Sequence, residues 1–169
     1  MRFDPSSFGV VALAVASALT TAWWLNHADL RGQAQAAVPV AVHAPAEGAP
    51  AQVIKAADGH YWAEARIDGQ AVRVMVDTGA SVVSLTPADA ARLGLRLSPA
   101  DFTGTVITAS GPVRAAPVQL STVAVAGARV DQVEALVVEQ GLPHSLLGMS
   151  YLGRLSSFSA TPAGLTLRP

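Results

Sequence analysis

The sequence predicts a mostly β domain, a barrel or sandwich of short strands with one or two short helices. An apolar segment and a linker precede it. Three observations predict this. Apolar and polar residues alternate over several short runs, and turn signals carrying Gly or Pro separate those runs. A single uncharged run of 18 residues stands near the start of the 169-residue chain, ahead of an Ala- and Pro-rich stretch.

That uncharged run is Phe8 to Leu25. As a helix it would span roughly 27 Å, close to the hydrocarbon thickness of a bilayer. Trp23 and Trp24 close it, where indoles favour the lipid–water interface. The reading is a cytoplasmic N-terminus over residues 1–7, a transmembrane anchor over 8–25, and the remainder outside. A cleaved signal peptide competes, because Ala16-Ser17-Ala18 has the small-residue character of a cleavage site. Residues 26–52 follow as a linker rich in Ala, Pro and Gly, stiffened by its prolines. The folded domain is expected over 53–169.

Within the domain, Tyr61, Ala63, Ala65 and Ile67 alternate with His60, Trp62, Glu64 and Arg66, which predicts a strand with one buried face. Asp58-Gly59 and Asp68-Gly69 flank it as hairpin signals, and Val72, Val74 and Val76 continue the period in a second strand. Thr86-Pro87-Ala88-Asp89 reads as a helix start: Thr86 can cap, Pro87 suits the first helical position, and Asp89 completes a box-like pair. Gly94 ends that helix. β-rich runs follow at Phe102 to Ile107, Val113 to Val118, Leu120 to Val125 and Val130 to Val138, with Ala126-Gly127 as a turn. A second short helix is expected at Met149 to Leu155, and a last hairpin at Phe158 to Leu167.

Composition excludes several functions. Eleven Lys and Arg stand against twelve Asp and Glu, for a net charge of −1. Such a balance offers no electrostatic footprint for nucleic acid. Aromatic residues make up 5%, too few for stacking platforms along a single strand. Without Cys, the chain has no disulfide, no thiolate metal site and no cysteine nucleophile. His60 and His144 lack carboxylate or thiolate company at ligand spacing, so both are read as surface residues and no metal is expected. A Gly-x-Ser-x-Gly elbow is missing, which removes the usual serine-hydrolase reading. Asp58, Asp68 and Asp131 read as turn or strand-edge residues.

The chemistry is expected at Asp77. It follows Val74-Met75-Val76, so it emerges from a buried strand; Gly79 permits a sharp turn, and Val82-Val83 return the chain to the core. A carboxylate held between two buried runs is costly unless it is hydrogen-bonded or shares a proton. The plainer alternative is a turn Asp with ordinary Thr and Gly companions.

Asp77-Thr78-Gly79 between apolar runs, the turn Thr108-Ala109-Ser110-Gly111 and Leu146-Leu147-Gly148-Met149-Ser150-Tyr151-Leu152 occur in that order. Together they resemble the aspartic proteases of the retroviral, half-size type. With the apolar segment in front, they are similar to a bacterial branch of membrane-anchored, single-domain, retropepsin-like enzymes. The resemblance covers Tyr61 to Leu167. It implies a closed retropepsin-like β-barrel, one half of an acid protease, acting as an aspartic endopeptidase on polypeptides without a cofactor. It also implies a bacterial inner-membrane location, single-pass, with the domain facing the periplasm.

A single Asp-Thr-Gly per chain implies a homodimer with one Asp77 from each subunit. The two carboxylates of such a dyad share one proton: the ionised one activates a water, and the protonated one polarises the scissile carbonyl. Thr78 is implied to bond across the dimer axis, and Gly79 to leave room for substrate backbone. Ala80 supplies no hydroxyl where two-lobed relatives carry Ser or Thr, as in retroviral-type enzymes. Ser81 keeps a hydroxyl where Thr is commoner. Thr108, Ala109, Ser110 and Gly111 form the flap, with Ser110 in place of a commoner Asn. Leu147 and Gly148 pack behind the catalytic loop. The alternative is the same fold kept as a weakly active or inactive dimeric binding module in the cell envelope.

Overall fold

The computed structural model describes residues 44–108 and 111–169. The expected anchor, most of the linker, and Ala109 and Ser110 of the expected flap lie outside the described residues. No helix among the described residues is long and apolar enough to cross a membrane.

The domain is mostly β, as expected. Its strands are β1 (Glu47–Gly48), β2 (Ala51–Ile54), β3 (Trp62–Ile67), β4 (Gln70–Val76), β5 (Val83–Leu85), β6 (Gly104–Thr108), β7 (Gly111–Val125), β8 (Ala128–Val138), β9 (Ser145–Leu147), β10 (Ser157–Ala160) and β11 (Gly164–Arg168). The helices are α1 (Pro87–Arg92), α2 (Met149–Leu152) and a 3₁₀ turn, Pro99–Asp101. Eight strands form one sheet in the order β1-β8-β5-β9-β4-β3-β7-β6, and a further β7–β8 pairing closes a cycle through β8, β5, β9, β4, β3 and β7. A second sheet has the order β10-β11-β2.

Local chemistry accounts for most of these elements. The β3–β4 hairpin turns at Asp68 and Gly69, both at positive φ (46° and 88°), the backbone twist that suits a two-residue hairpin. Asp68 Oδ1 then accepts the Thr122 N–H at 2.8 Å, tying the turn to β7. The alternation in β3 is real: Ala63, Ala65 and Ile67 are buried, while Glu64 and Arg66 are exposed. In α1, Thr86 Oγ1 accepts the Asp89 N–H at 3.1 Å and donates to the Asp89 carboxylate at 3.0 Å. The helix closes with Gly94 N–H on Ala91 O and Leu95 N–H on Ala90 O, both 3.0 Å. That double closure satisfies two terminal carbonyls.

Three details differ from the sequence reading. Strand β1 and the first half of β2 lie within 26–52, the stretch read as linker; Ala46 and Ala51 are buried there. Composition hides this, because the segment is held mainly from outside itself. The Arg154 guanidinium donates to Ala44 O, and Ala46 N–H reaches Arg154 O at 3.1 Å. The runs 113–118 and 120–125 form one strand, β7, paired with β8 from Ala115 to Val125. Helix α2 stops at Leu152 rather than Leu155, with Gly153 as its C-cap. Arg154 has left the helix to bind the carbonyls of Ala44, Asp131 and Gln132.

The feature that positions the site is the placement of β9. It inserts between β4 and β5, parallel to β4 (Met75 opposite Leu146) and antiparallel to β5 (Ser84 opposite Leu146). The loop joining β4 to β5 therefore folds over the end of β9. Gly148 follows at once with φ −92°, which any residue can adopt. A Cβ there would fall 2.2 Å from Val82 O and 2.7 Å from Ala80 O. Its requirement for glycine is one of space. Gly148→Ala is expected to destabilise the domain by more than about 3 kcal/mol, as overpacking against backbone cannot relax through a rotamer. A urea titration checks this: a midpoint within error of the unsubstituted protein would refute the close-approach account.

Candidate active site

Asp77 stands at the end of β4, where its N–H donates to Leu147 O at 3.2 Å. The loop then turns tightly. Asp77 Oδ1 accepts the Gly79 N–H at 2.8 Å, and Ala80 N–H reaches Asp77 O at 3.3 Å. Ala80 O in turn accepts the Met149 N–H at 2.8 Å, so the loop is tied to both ends of the Leu147-Gly148-Met149 turn. The hydroxyl of Ser150 extends this attachment, accepting the Val83 N–H at 2.9 Å and donating to Glu134 O at 2.7 Å. Leu147 is fully buried. Gly148 lies against Val82 O and Ala80 O of that loop.

Asp77 is half-buried, Ala80 is partly covered, and Thr78, Gly79 and Ser81 are exposed. The Thr78 hydroxyl has no hydrogen-bond partner among the described residues. Among those residues the Asp77 carboxylate accepts one hydrogen bond, from Gly79, and Ala80 adds none.

Asp77, Gly79, Ala80 and Ser81 open onto a cleft of about 490 Å³. Its other wall is strand β6, through Val106, Ile107 and Thr108; Ile107 is 82% exposed. Strands β6 and β7 form a hairpin, with Thr108 opposite Gly111 and Thr108 Oγ1 donating to Gly111 O at 2.9 Å. The structure thus brings the loop and the described base of the hairpin onto one cleft.

Sequence reasoning missed the third wall, Gly141 to His144, which stands beside Leu146 of the Leu-Leu-Gly motif. The only signal was the cluster Gly141-Leu142-Pro143, which reads as an ordinary turn. His144 is exposed, as expected of a surface residue, yet it also lines the cleft. Its ring meets Trp62 edge-to-face, with centroids 4.8 Å apart. His60 stays outside the cleft lining, 3.6 Å from Asp58. The Asp58 carboxyl is held below the usual carboxylate range, chiefly by the His60 N–H and then by the Trp62 indole. Among the described residues no group of His, Asp and Glu could hold a metal ion.

Asp89, read as a helix-start residue, accepts from the buried Ser145 hydroxyl as well as from Thr86 and Arg92. Ser145 also accepts the Thr86 N–H at 3.1 Å. This lock secures the entry of β9 to the exit of β5, opposite the Asp77 loop along the same strand.

Residues 63–154 match the family model described as "gag-polyprotein putative aspartyl protease". A crystal structure of a retropepsin-like aspartic protease from Rickettsia conorii aligns with a TM-score of 0.65 and 34% identity, over 72% of this chain and 92% of that one. EIAV protease, in complex with the inhibitor HBY-793, aligns with a TM-score of 0.51 at 22% identity, over 62% of this chain and 96% of that one, a likeness of fold. Two curated relatives are each 38% identical. One is an uncharacterized protein in the cobV 5′ region of a Sinorhizobium species, matched over 68% of this chain and 49% of its own length. The other is an uncharacterized protein of Rickettsia prowazekii (strain Madrid E), matched over 63% and 46%. The chain therefore spans about half the length of the curated relatives it matches. The family match covers more than half of the chain and includes both Asp77 and the Leu-Leu-Gly turn that holds it, so this chain belongs to the retropepsin-like aspartic protease family.

Proposed function

We propose that the protein is an aspartic endopeptidase whose active species is a homodimer, and that it cuts polypeptides at the cell envelope. The observation that carries this reading is the Asp77 loop, tied to β9 and open onto a cleft walled on its far side by the β6–β7 hairpin. A half-buried carboxylate with one hydrogen bond from its own chain can take a second partner, either a water or the Asp77 of another copy. The exposed Thr78 hydroxyl, without a partner in its own subunit, suits a bond across a two-fold axis. In the dyad, one carboxylate draws a proton from the attacking water while the other donates to the carbonyl oxygen of the scissile bond. The role assigned to Gly79 is to leave the approach to Asp77 open, since a Cβ there would come within 3.1 Å of Oδ1. Ile107 and its hairpin would cover the peptide from above. The anchor over residues 8–25 is proposed to hold the domain at the periplasmic face of the inner membrane, where confinement raises the effective concentration for pairing.

Three outcomes are expected. Asp77→Asn should lower the cleavage rate of a denatured protein mixture by roughly 10³-fold or more, with the thermal transition preserved. Equal cleavage by both proteins would overturn the peptidase reading in favour of a binding module.

Specific activity of the full chain in detergent should fall steeply on dilution, and its pH profile should be bell-shaped. The sign follows from the shared proton: at low pH both carboxylates are neutral and no base remains, and at high pH both are charged and no donor remains. A concentration-independent rate from a sedimenting monomer, or a rate rising steadily into alkaline pH, would exclude the shared dyad.

Alkaline extraction of membranes should leave the full-length protein in the pellet. Its release into the supernatant would rule out the spanning anchor.

A further inference from the structure

Beyond the cleft lies a smaller hollow of about 220 Å³, which shares Pro143 and His144 with it and reaches Trp62 and Arg73. Arg73 is on the exposed face of β4 and sits directly opposite Glu64 of β3. A cross-strand ion pair would be the ordinary outcome of that register. The guanidinium instead lies over the Trp62 ring, 4.6 Å from its centroid, and makes no ion pair among the described residues. Trp62 is itself fixed: its indole donates to Asp58 at 2.8 Å, and its ring meets His144. A cation held on an aromatic face has lost part of its conformational freedom before any ligand arrives.

Two of the three acidic groups nearby, Asp58 and Asp89, are already engaged. Asp58 accepts from the His60 N–H and the Trp62 indole. Asp89, on the far wall of the hollow, is bound by Arg92 at 2.6 Å and by the hydroxyls of Thr86 and Ser145. Glu64 is exposed and forms no ion pair among the described residues. The hollow therefore presents an ordered cation, without an ion pair among the described residues, beside the imidazole that borders the Asp77 cleft.

We propose that Arg73, ordered on Trp62 and sharing a hollow with His144, is a specificity-determining residue that seats an acidic side chain of the polypeptide held in the Asp77 cleft. The guanidinium takes the carboxylate by charge-assisted hydrogen bonds, and the Trp62–His144 pair forms the apolar side of the seat. The proposal rests on the peptidase reading. It adds a preference for Asp or Glu at one position outside the apolar central cleft.

The test is a position-scanned peptide library in which each site carries Glu, Gln or Lys in turn, cleaved by the full-length protein and by Arg73→Gln, Arg73→Lys and Arg73→Glu. At one position the Glu peptide should exceed its Gln counterpart about tenfold in kcat/KM, the size of one charge-assisted bond. That ratio should fall to near one in Arg73→Gln, persist in part in Arg73→Lys, and shift to favour Lys in Arg73→Glu. A residue that only stabilised the fold would lower all peptides together and could not reverse the preference. Cleavage without any Glu preference, or with one that ignores Arg73, overturns the proposal and leaves the peptidase reading standing. If no peptide is cleaved, the peptidase reading falls, and anisotropy titration of the labelled Glu and Gln peptides decides the seat. A Glu preference lost in Arg73→Gln upholds it; equal or absent binding overturns it too.

Discussion

The structure depends on one close approach, that of the Gly148 backbone to Val82 O and Ala80 O. Three residues of β9 are wedged between β4 and β5, and the turn that follows must pass under the Asp77 loop with no side chain in the way. Given that approach, the loop has fixed hydrogen-bond partners: Leu147 O for the Asp77 N–H, and the Met149 N–H for Ala80 O. Chain segments some seventy residues apart thus become one unit. A carboxylate aimed at a cleft must be held by backbone, because side-chain supports would compete with substrate for the same space.

The same constraint explains the two serine locks on β9. Ser145, the first residue of the strand, binds Asp89 and the Thr86 N–H; Ser150, after the strand, binds Val83 N–H and Glu134 O. Each hydroxyl satisfies backbone or carboxylate groups that the short strand leaves unpaired. A three-residue strand contributes few ladder bonds of its own, so its register needs such fasteners at both ends. The burial of Ser145 among apolar neighbours is tolerable because the hydroxyl donates and accepts at once.

Much of this was legible in the residues. The β3–β4 hairpin followed from Asp68-Gly69 between alternating runs, and α1 from Thr86-Pro87 and Gly94, because these are local chemistry. The loop around Asp77 was legible because a charged residue between two apolar runs has few places to go. What stayed hidden was settled at a distance. Strands β1 and β2 are short and pair with β8 and β11 far along the chain, so no local period announces them. The end of α2 is decided by Arg154 reaching carbonyls in two distant segments, Ala44 and Asp131-Gln132. The wall from Gly141 to His144 meets the Asp77 loop and Trp62 only through distant chain segments, and the stack of Arg73 on Trp62 is set by side-chain choice across the β3–β4 hairpin, so the local pattern reads only as turn and strand.

The two sides of the cleft are built to different standards, and the difference has a physical use under the peptidase reading. The Asp77 side is fixed to a strand paired on both edges, with Leu147 fully buried. The other side, β6, lies at the end of the sheet and pairs with β7 alone, and its Ile107 is 82% exposed. An edge hairpin can open at the cost of few contacts, whereas displacing β9 would expose the core. Leaving Ile107 bare forgoes roughly 1.5–3 kcal/mol of burial that a covering peptide could recover. Binding energy gathered on the β6 side would then draw the peptide down onto a carboxylate that does not itself move. An arrangement with the mobility reversed would spend that energy on re-forming the Asp77 loop, and less of it would remain to hold the scissile bond in place.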